Sequence, residues 1–142
     1  MRQLVRLILI VLILPAVSSA DIRLPRLLGD GVVLQRDTAV SLWGWADDGE
    51  GVEVFVDGES AGSTDAEGGQ WRISIGPYPA GGPHRLEFVG NNSVVIDDVL
   101  FGDVWIASGQ SNMVLPMARV AETFGDDIAA ADFPRIRHFT LP

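Results

Sequence analysis

Gly102-Asp103-Val104-Trp105-Ile106-Ala107-Ser108-Gly109-Gln110-Ser111-Asn112-Met113 is the stretch on which the fold of this chain turns. Val104, Trp105 and Ile106 make a short continuous apolar run, the pattern of a strand covered on both faces. Gly109 then supplies a turn that a side chain would crowd. This order predicts a strand ending in a tight bend, with Ser108 packed on the strand and Ser111 exposed at the sheet edge, where a nucleophile is presented. A helix starting soon afterwards would direct backbone N–H groups, with their partial positive charge, at an oxyanion formed on that serine.

Downstream, Met113, Met117, Val120, Ala121 and Phe124 recur at steps of three and four, the spacing of one helix face. Pro116 would break a helix interior but is tolerated in a first turn, so the regular helix is expected to start near it. Asp126 to Ala131 reads as a second helical piece, Asp132-Phe133-Pro134 as a break, and Ile136 to Thr140 as a strand. Strand, helix and strand suggest a parallel crossover unit. Two strands and one helix bury too little apolar surface to offset a chain entropy of roughly 1–2 kcal/mol per residue. The chain is therefore expected to be the front part of a longer protein.

Upstream, from Asp21 to about Phe101, short β-like runs alternate with turn residues. Val52, Val54 and Val56 alternate with polar neighbours, as do Trp71, Ile73 and Ile75, and Leu86 with Phe88. Asp57-Gly58, Glu67-Gly68-Gly69 and Ala80-Gly81-Gly82-Pro83 mark the connections. Strands are expected near residues 32–35, 39–45, 52–57, 60–65, 70–75, 84–89 and 93–100, forming an antiparallel β-sandwich. Trp43 and Trp45 share one strand face, and a sandwich core accounts for them as it does for Trp71. Trp105 is expected to pack where the β domain meets the following sheet.

The first twenty residues read as a secretory leader. Arg2 and Arg6 precede an apolar stretch from Leu7 to Val17, and Ser18-Ser19-Ala20 offers a cleavage site after Ala20. The apolar stretch is shorter than the roughly 20 residues that span a bilayer, so export to the periplasm or the medium is expected, without stable membrane association after cleavage. The net charge of −9 on 142 residues becomes −11 without the leader, with eight arginines, nineteen carboxylates and no lysine. Nucleic-acid binding, which draws on basic side chains meeting phosphate, is not expected, nor is attachment to anionic lipid. The absence of cysteine excludes disulfides, a thiolate nucleophile and thiolate metal ligands.

In their order and spacing, Gly102-Asp103-Val104-Trp105 and Gly109-Gln110-Ser111-Asn112-Met113 resemble the nucleophile block of the sialate O-acetylesterase family, a branch of the SGNH hydrolases. Val33-Leu34-Gln35-Arg36, Val40-Ser41-Leu42-Trp43-Gly44-Trp45, Gly69-Gln70-Trp71 and Ala80-Gly81-Gly82-Pro83 are similar to markers of that family's N-terminal β domain. The resemblance implies a β plus α/β architecture. Residues 21–101 would form the antiparallel β-sandwich, and residues 102–142 the truncated start of an SGNH-type α/β hydrolase domain. It implies that Ser111 is the nucleophile and, through its N–H, an oxyanion donor, with Gln110 and Asn112 as possible supports. Val114 stands where similar proteins often carry an acidic residue. No segment matches the family's later oxyanion donors or its Asp-x-x-His pair, so no base is assigned and this chain alone is expected to be inactive.

The resemblance implies an O-acetylated carbohydrate as substrate, most directly a sialate, with no cofactor. An acetylxylan esterase is a near relative in chemistry, and a noncatalytic glycan-binding β module is the alternative of a different class. Of the two histidines, His84 is expected to face solvent at a strand start. His138 lies in the expected second parallel strand without an aspartate partner in its spacing. Neither belongs to a metal-ligand pattern. Asp103 reads as a turn-closing residue rather than a catalytic acid, and Asn91-Asn92-Ser93 fits a glycosylation sequon.

Overall fold

A computed structural model describes residues 21–140. The leader expected over residues 1–20 lies outside the described residues. Seven strands follow in chain order: β1 (Val33–Gln35), β2 (Val40–Trp45), β3 (Gly51–Val56), β4 (Glu59–Asp65), β5 (Gln70–Ile75), β6 (Gly81–Val89) and β7 (Ser93–Gly102). They form a five-stranded sheet in the order β1-β7-β6-β3-β4 and a two-stranded sheet of β2 and β5. All pairings are antiparallel except β1 with β7, which run parallel with Val33 opposite Leu100. The expectation of an antiparallel architecture is corrected here: the larger sheet is mixed. The cause is local. The chain from β1 leaves for the other sheet, and β7 returns beside β1 only after the five intervening strands have been laid down.

Both sheets turn one face into a common core. Leu42, Trp71, Ile73 and Ile75 from the two-stranded sheet meet Val52, Val54, Leu86, Phe88, Ile96 and Val99 from the larger one. Val52, Val54 and Val56 are buried as their period of two requires. Trp71 packs on Phe88 with ring centroids 5.6 Å apart. This close fit has a glycine at its centre: a Cβ on Gly44 would stand 2.3 Å from the carbonyl oxygen of Arg23 and 2.7 Å from the Trp71 ring. Glu50 is the one buried charged side chain among the described residues. Its carboxylate accepts from the N–H of Asp47 at 3.0 Å and of Asn91 at 2.8 Å, joining the β2–β3 and β6–β7 connections. Hydrogen-bonded in this way, the charge escapes most of the penalty of an unpaired buried carboxylate.

Trp43 and Trp45 depart from expectation. On β2 it is Leu42 and Gly44 that face inward, so the two indoles stand on the outer face, edge to face at 5.3 Å. Trp43 is 36% exposed. The period of two placed both on one face without saying which, and the glycine between them settles it, because only Gly44 fits against Trp71.

Beyond Gly102 the structure differs most from the sequence reading. Val104, Trp105 and Ile106 form no strand, and Trp105 and Ile106 are 85% and 94% exposed. Ser108 is exposed as well, and residues 136–140 are irregular. The crossover unit is therefore absent among the described residues. A parallel strand buried on both faces needs strands beside it and helices over it, and no described residue supplies them. Single 3₁₀ turns at Ser111–Val114 and Met117–Val120 lead into α1 (Ala121–Ala130). Pro116 precedes the second turn, as its missing N–H allows. The two helical pieces expected on either side of Gly125 run together, with non-helical backbone at Phe124 marking the join.

Candidate active site

The sheet delivers the chain to Ser111 through a short, well-tied exit. At the end of β7, Asp103 binds Arg36 with its Oδ1 accepting from Nε at 2.9 Å, and Gln35 Oε1 accepts from the N–H of Val104 at 3.0 Å. Asp103 is thus a structural anchor, as its place at a turn suggested. Beyond Val104 the backbone runs free of the sheet to Gly109. There φ is +157°, and a Cβ would meet Met113 Cγ at 3.2 Å, so the crowding expected at this turn is present.

Ser111 opens the 3₁₀ turn and is exposed, as are Gln110 and Asn112. Gln110 is the residue that caps the turn, its carbonyl accepting from the N–H of Met113 at 2.9 Å, so Ser111 itself is not an N-cap. Asn112 contributes its carbonyl to Leu115 N–H at 3.3 Å. The N–H groups of Ser111 and Asn112 precede the first turn bond, as first-turn donors do. The helix expected soon after Ser111 arrives only at Ala121, too distant for its dipole, which acts within about one turn, to reach the serine.

Among the described residues no histidine hydrogen-bonds Ser111. His138 is exposed and outside any strand. His84, expected to face solvent, is instead partly buried: its Nδ1 lies 2.6 Å from Asp57 Oδ2, and its ring stands edge-on to Phe101 at 5.3 Å. Asp57 Oδ1 also accepts from the Arg85 N–H at 2.8 Å. These bonds, the His84 one foremost, hold the Asp57 carboxyl below the ordinary carboxylate range. A histidine oriented by an aspartate is the pairing that a hydrolase needs, but this one belongs to β6 and the β3–β4 turn. The signal that could have found it is the register of β3 against β6: Val56 opposite Leu86 brings Asp57 alongside His84. That register is a tertiary fact. No cluster of three or more His, Asp or Glu suited to a metal occurs among the described residues, and none of their helices is long and apolar enough to cross a membrane.

No protein-family model matches the sequence. Sialate O-acetylesterases of Homo sapiens and Pongo abelii are each 33% identical to it over 128 residues, 77% of this chain and 24% of theirs. That of Mus musculus is 28% identical over 148 residues, 94% of this chain and 27% of its own. Among solved structures, a carbohydrate acetylesterase from Xanthomonas citri superposes with a TM-score of 0.73 at 38% identity, covering 80% of this chain and 26% of that one. The chain spans about a quarter of the length of the curated relatives it matches. Similar in sequence to those esterases and in fold to the acetylesterase, it belongs to a sialate O-acetylesterase-like family.

Proposed function

We propose that this chain carries the β domain and the nucleophile of an exported carbohydrate O-acetylesterase of SGNH type, with Ser111 as the attacking residue. The observation that carries the reading is the block Gly109-Gln110-Ser111-Asn112-Met113. It is set eight residues or fewer beyond the Gly102-Asp103-Val104-Trp105 word, in a chain whose relatives bear the name of that chemistry, and the serine it contains is open to solvent. Ser111 Oγ attacks the acetyl carbonyl and gives its proton to a histidine base. The Ser111 N–H donates to the oxyanion, the sugar hydroxyl leaves with that proton, and water then releases acetate from the acyl-serine. Neither His84 nor His138 stands in an Asp-x-x-His sequence, so the base is assigned to neither. The substrate is an O-acetylated sugar, a sialate or an acetylated xylan chain.

Acetate release from an acetylated sugar tests the reading, measured on the protein in which residues 1–142 are followed by their downstream coding sequence. Ser111→Ala is expected to lower turnover by about a million-fold, the loss seen when a triad nucleophile is removed, with an unchanged thermal midpoint. Turnover that survives the substitution would assign the chemistry to another hydroxyl.

A further inference from the structure

The outer face of the two-stranded sheet carries a cleft that the ester chemistry does not use. Cross-strand neighbours share a face, and the β2–β5 register sets Trp43 opposite Arg72 and Trp45 opposite Gln70. Asp65, at the end of β4, and Glu67, in the β4–β5 connection, close the other side. The resulting cavity, about 360 Å³ and open to solvent, falls in the lower part of the roughly 300–1,000 Å³ range of small-molecule sites. It has room for one or two sugar rings.

Its lining has a specific chemistry. Trp43 offers an exposed indole held in place by Trp45 behind it at 5.3 Å, and Trp45 is itself covered by the Arg23 guanidinium at 5.7 Å. A rigid aromatic anchor of this kind gives contact area at little entropic cost. Around it stand an amide, two carboxylates and a guanidinium. Among the described residues, the side chains of Asp65, Glu67 and Gln70 are engaged by no hydrogen bond or ion pair, and Arg72 makes one long bond of 3.3 Å to Ser41 Oγ. A flat apolar platform ringed by unengaged donors and acceptors matches one ligand class: a pyranose, which has an apolar C–H face and a rim of hydroxyls that both donate and accept. An apolar protein surface would leave these four polar groups desolvated and unpaired, which is costly.

We propose that this cleft is a carbohydrate-binding site for neutral pyranose chains, separate from Ser111. The charge decides against an acidic sugar, since two carboxylates face one guanidinium and a sugar carboxylate would add a third negative charge. The site would hold an unmodified stretch of the polysaccharide while esters are removed elsewhere. It does not require Ser111 to be a nucleophile, so binding and hydrolysis fail independently.

The test is titration of the ¹⁵N-labelled full chain with xylotetraose, cellotetraose and 3′-sialyllactose, followed by backbone and indole N–H resonances. A neutral tetrasaccharide is expected to shift the Trp43 indole signal and the amides of residues 64–72. Trp43→Ala should weaken binding at least about tenfold, the usual scale for an aromatic anchor, while Trp43→Phe retains most of it and Gln70→Ala loses part. Three results overturn the proposal: no shift at these positions up to about 10 mM sugar, beyond the weakest binding of interest; binding that Trp43→Ala leaves intact in a well-dispersed spectrum; or sialyllactose shifting the same signals at lower concentration than the neutral sugars.

Discussion

His84 shows how a single residue can be misjudged from its neighbours in sequence. It follows Gly82-Pro83 in a stretch that reads as turn, yet it pairs with Asp57, twenty-seven positions earlier. The pairing has a pH consequence. Asp57 is held below its ordinary value of 3.8, chiefly by the His84 hydrogen bond and next by the Arg85 N–H. A carboxyl with a depressed folded-state pKa contributes stability that is fully present above the unfolded value and lost as pH falls through the folded one. Stability is therefore expected to drop on acidification below about pH 4, the onset set by an ordinary carboxyl. In His84→Ala that part of the slope should shrink, though not vanish, because the Arg85 N–H still donates. Urea midpoints measured from pH 5 downwards check this. Equal slopes in the two proteins would mean that the pair does not couple to folding. With Asp57 half exposed the effect is modest.

At the scale of elements, the seven strands and the segment after them obey different rules. Each strand expected between Asp21 and Phe101 is found, most with ends within two residues, because turn residues and a period of two are local signals. The start of β6 is the exception. Gly81 to Pro83 reads as a connection but is drawn into the sheet, Gly81 lying opposite Phe101. Residues 103–140, by contrast, contain no fully buried side chain. One long-range tie reaches back from near their end: Arg137 donates to the carbonyls of Gly31 and Asp98, at 2.9 and 2.5 Å, and pairs with the Asp98 carboxylate at 2.9 Å. Segments with few buried contacts open at low free energy. Limited chymotrypsin digestion should therefore cut at Phe124 and Phe139 before any site in β3, β6 or β7. Arg137→Ala should speed cleavage at Phe139 while shifting the unfolding midpoint of the sheets little. First cleavage within the strands would contradict this division.

For the molecule as a whole, apolar surface is unevenly distributed. Most of the large hydrophobic side chains left exposed lie beyond Gly102, from Val104, Trp105 and Ile106 to Phe133, Ile136 and Phe139. Apolar side chains exposed in this number are available to apolar probes. The dye ANS is accordingly expected to fluoresce strongly with the folded 142-residue chain, and much less with the triple substitution Val104→Asp, Trp105→Asp and Ile106→Asp. Undiminished fluorescence would place the apolar surface elsewhere. The sequence by itself determined the β-rich body, its inward valines and isoleucines, the acidic surface and the serine-bearing block with its family resemblance, because periodicity, turn chemistry and motif spacing are properties of neighbouring residues. Only the tertiary structure decided that β1 runs parallel to β7, that Trp43 and Trp45 face outward, that His84 meets Asp57, and that the run Val104–Ile106 is no strand. Each of these depends on which distant segment lies alongside. An apolar run becomes a buried strand only when partners are present to satisfy its backbone and cover its faces.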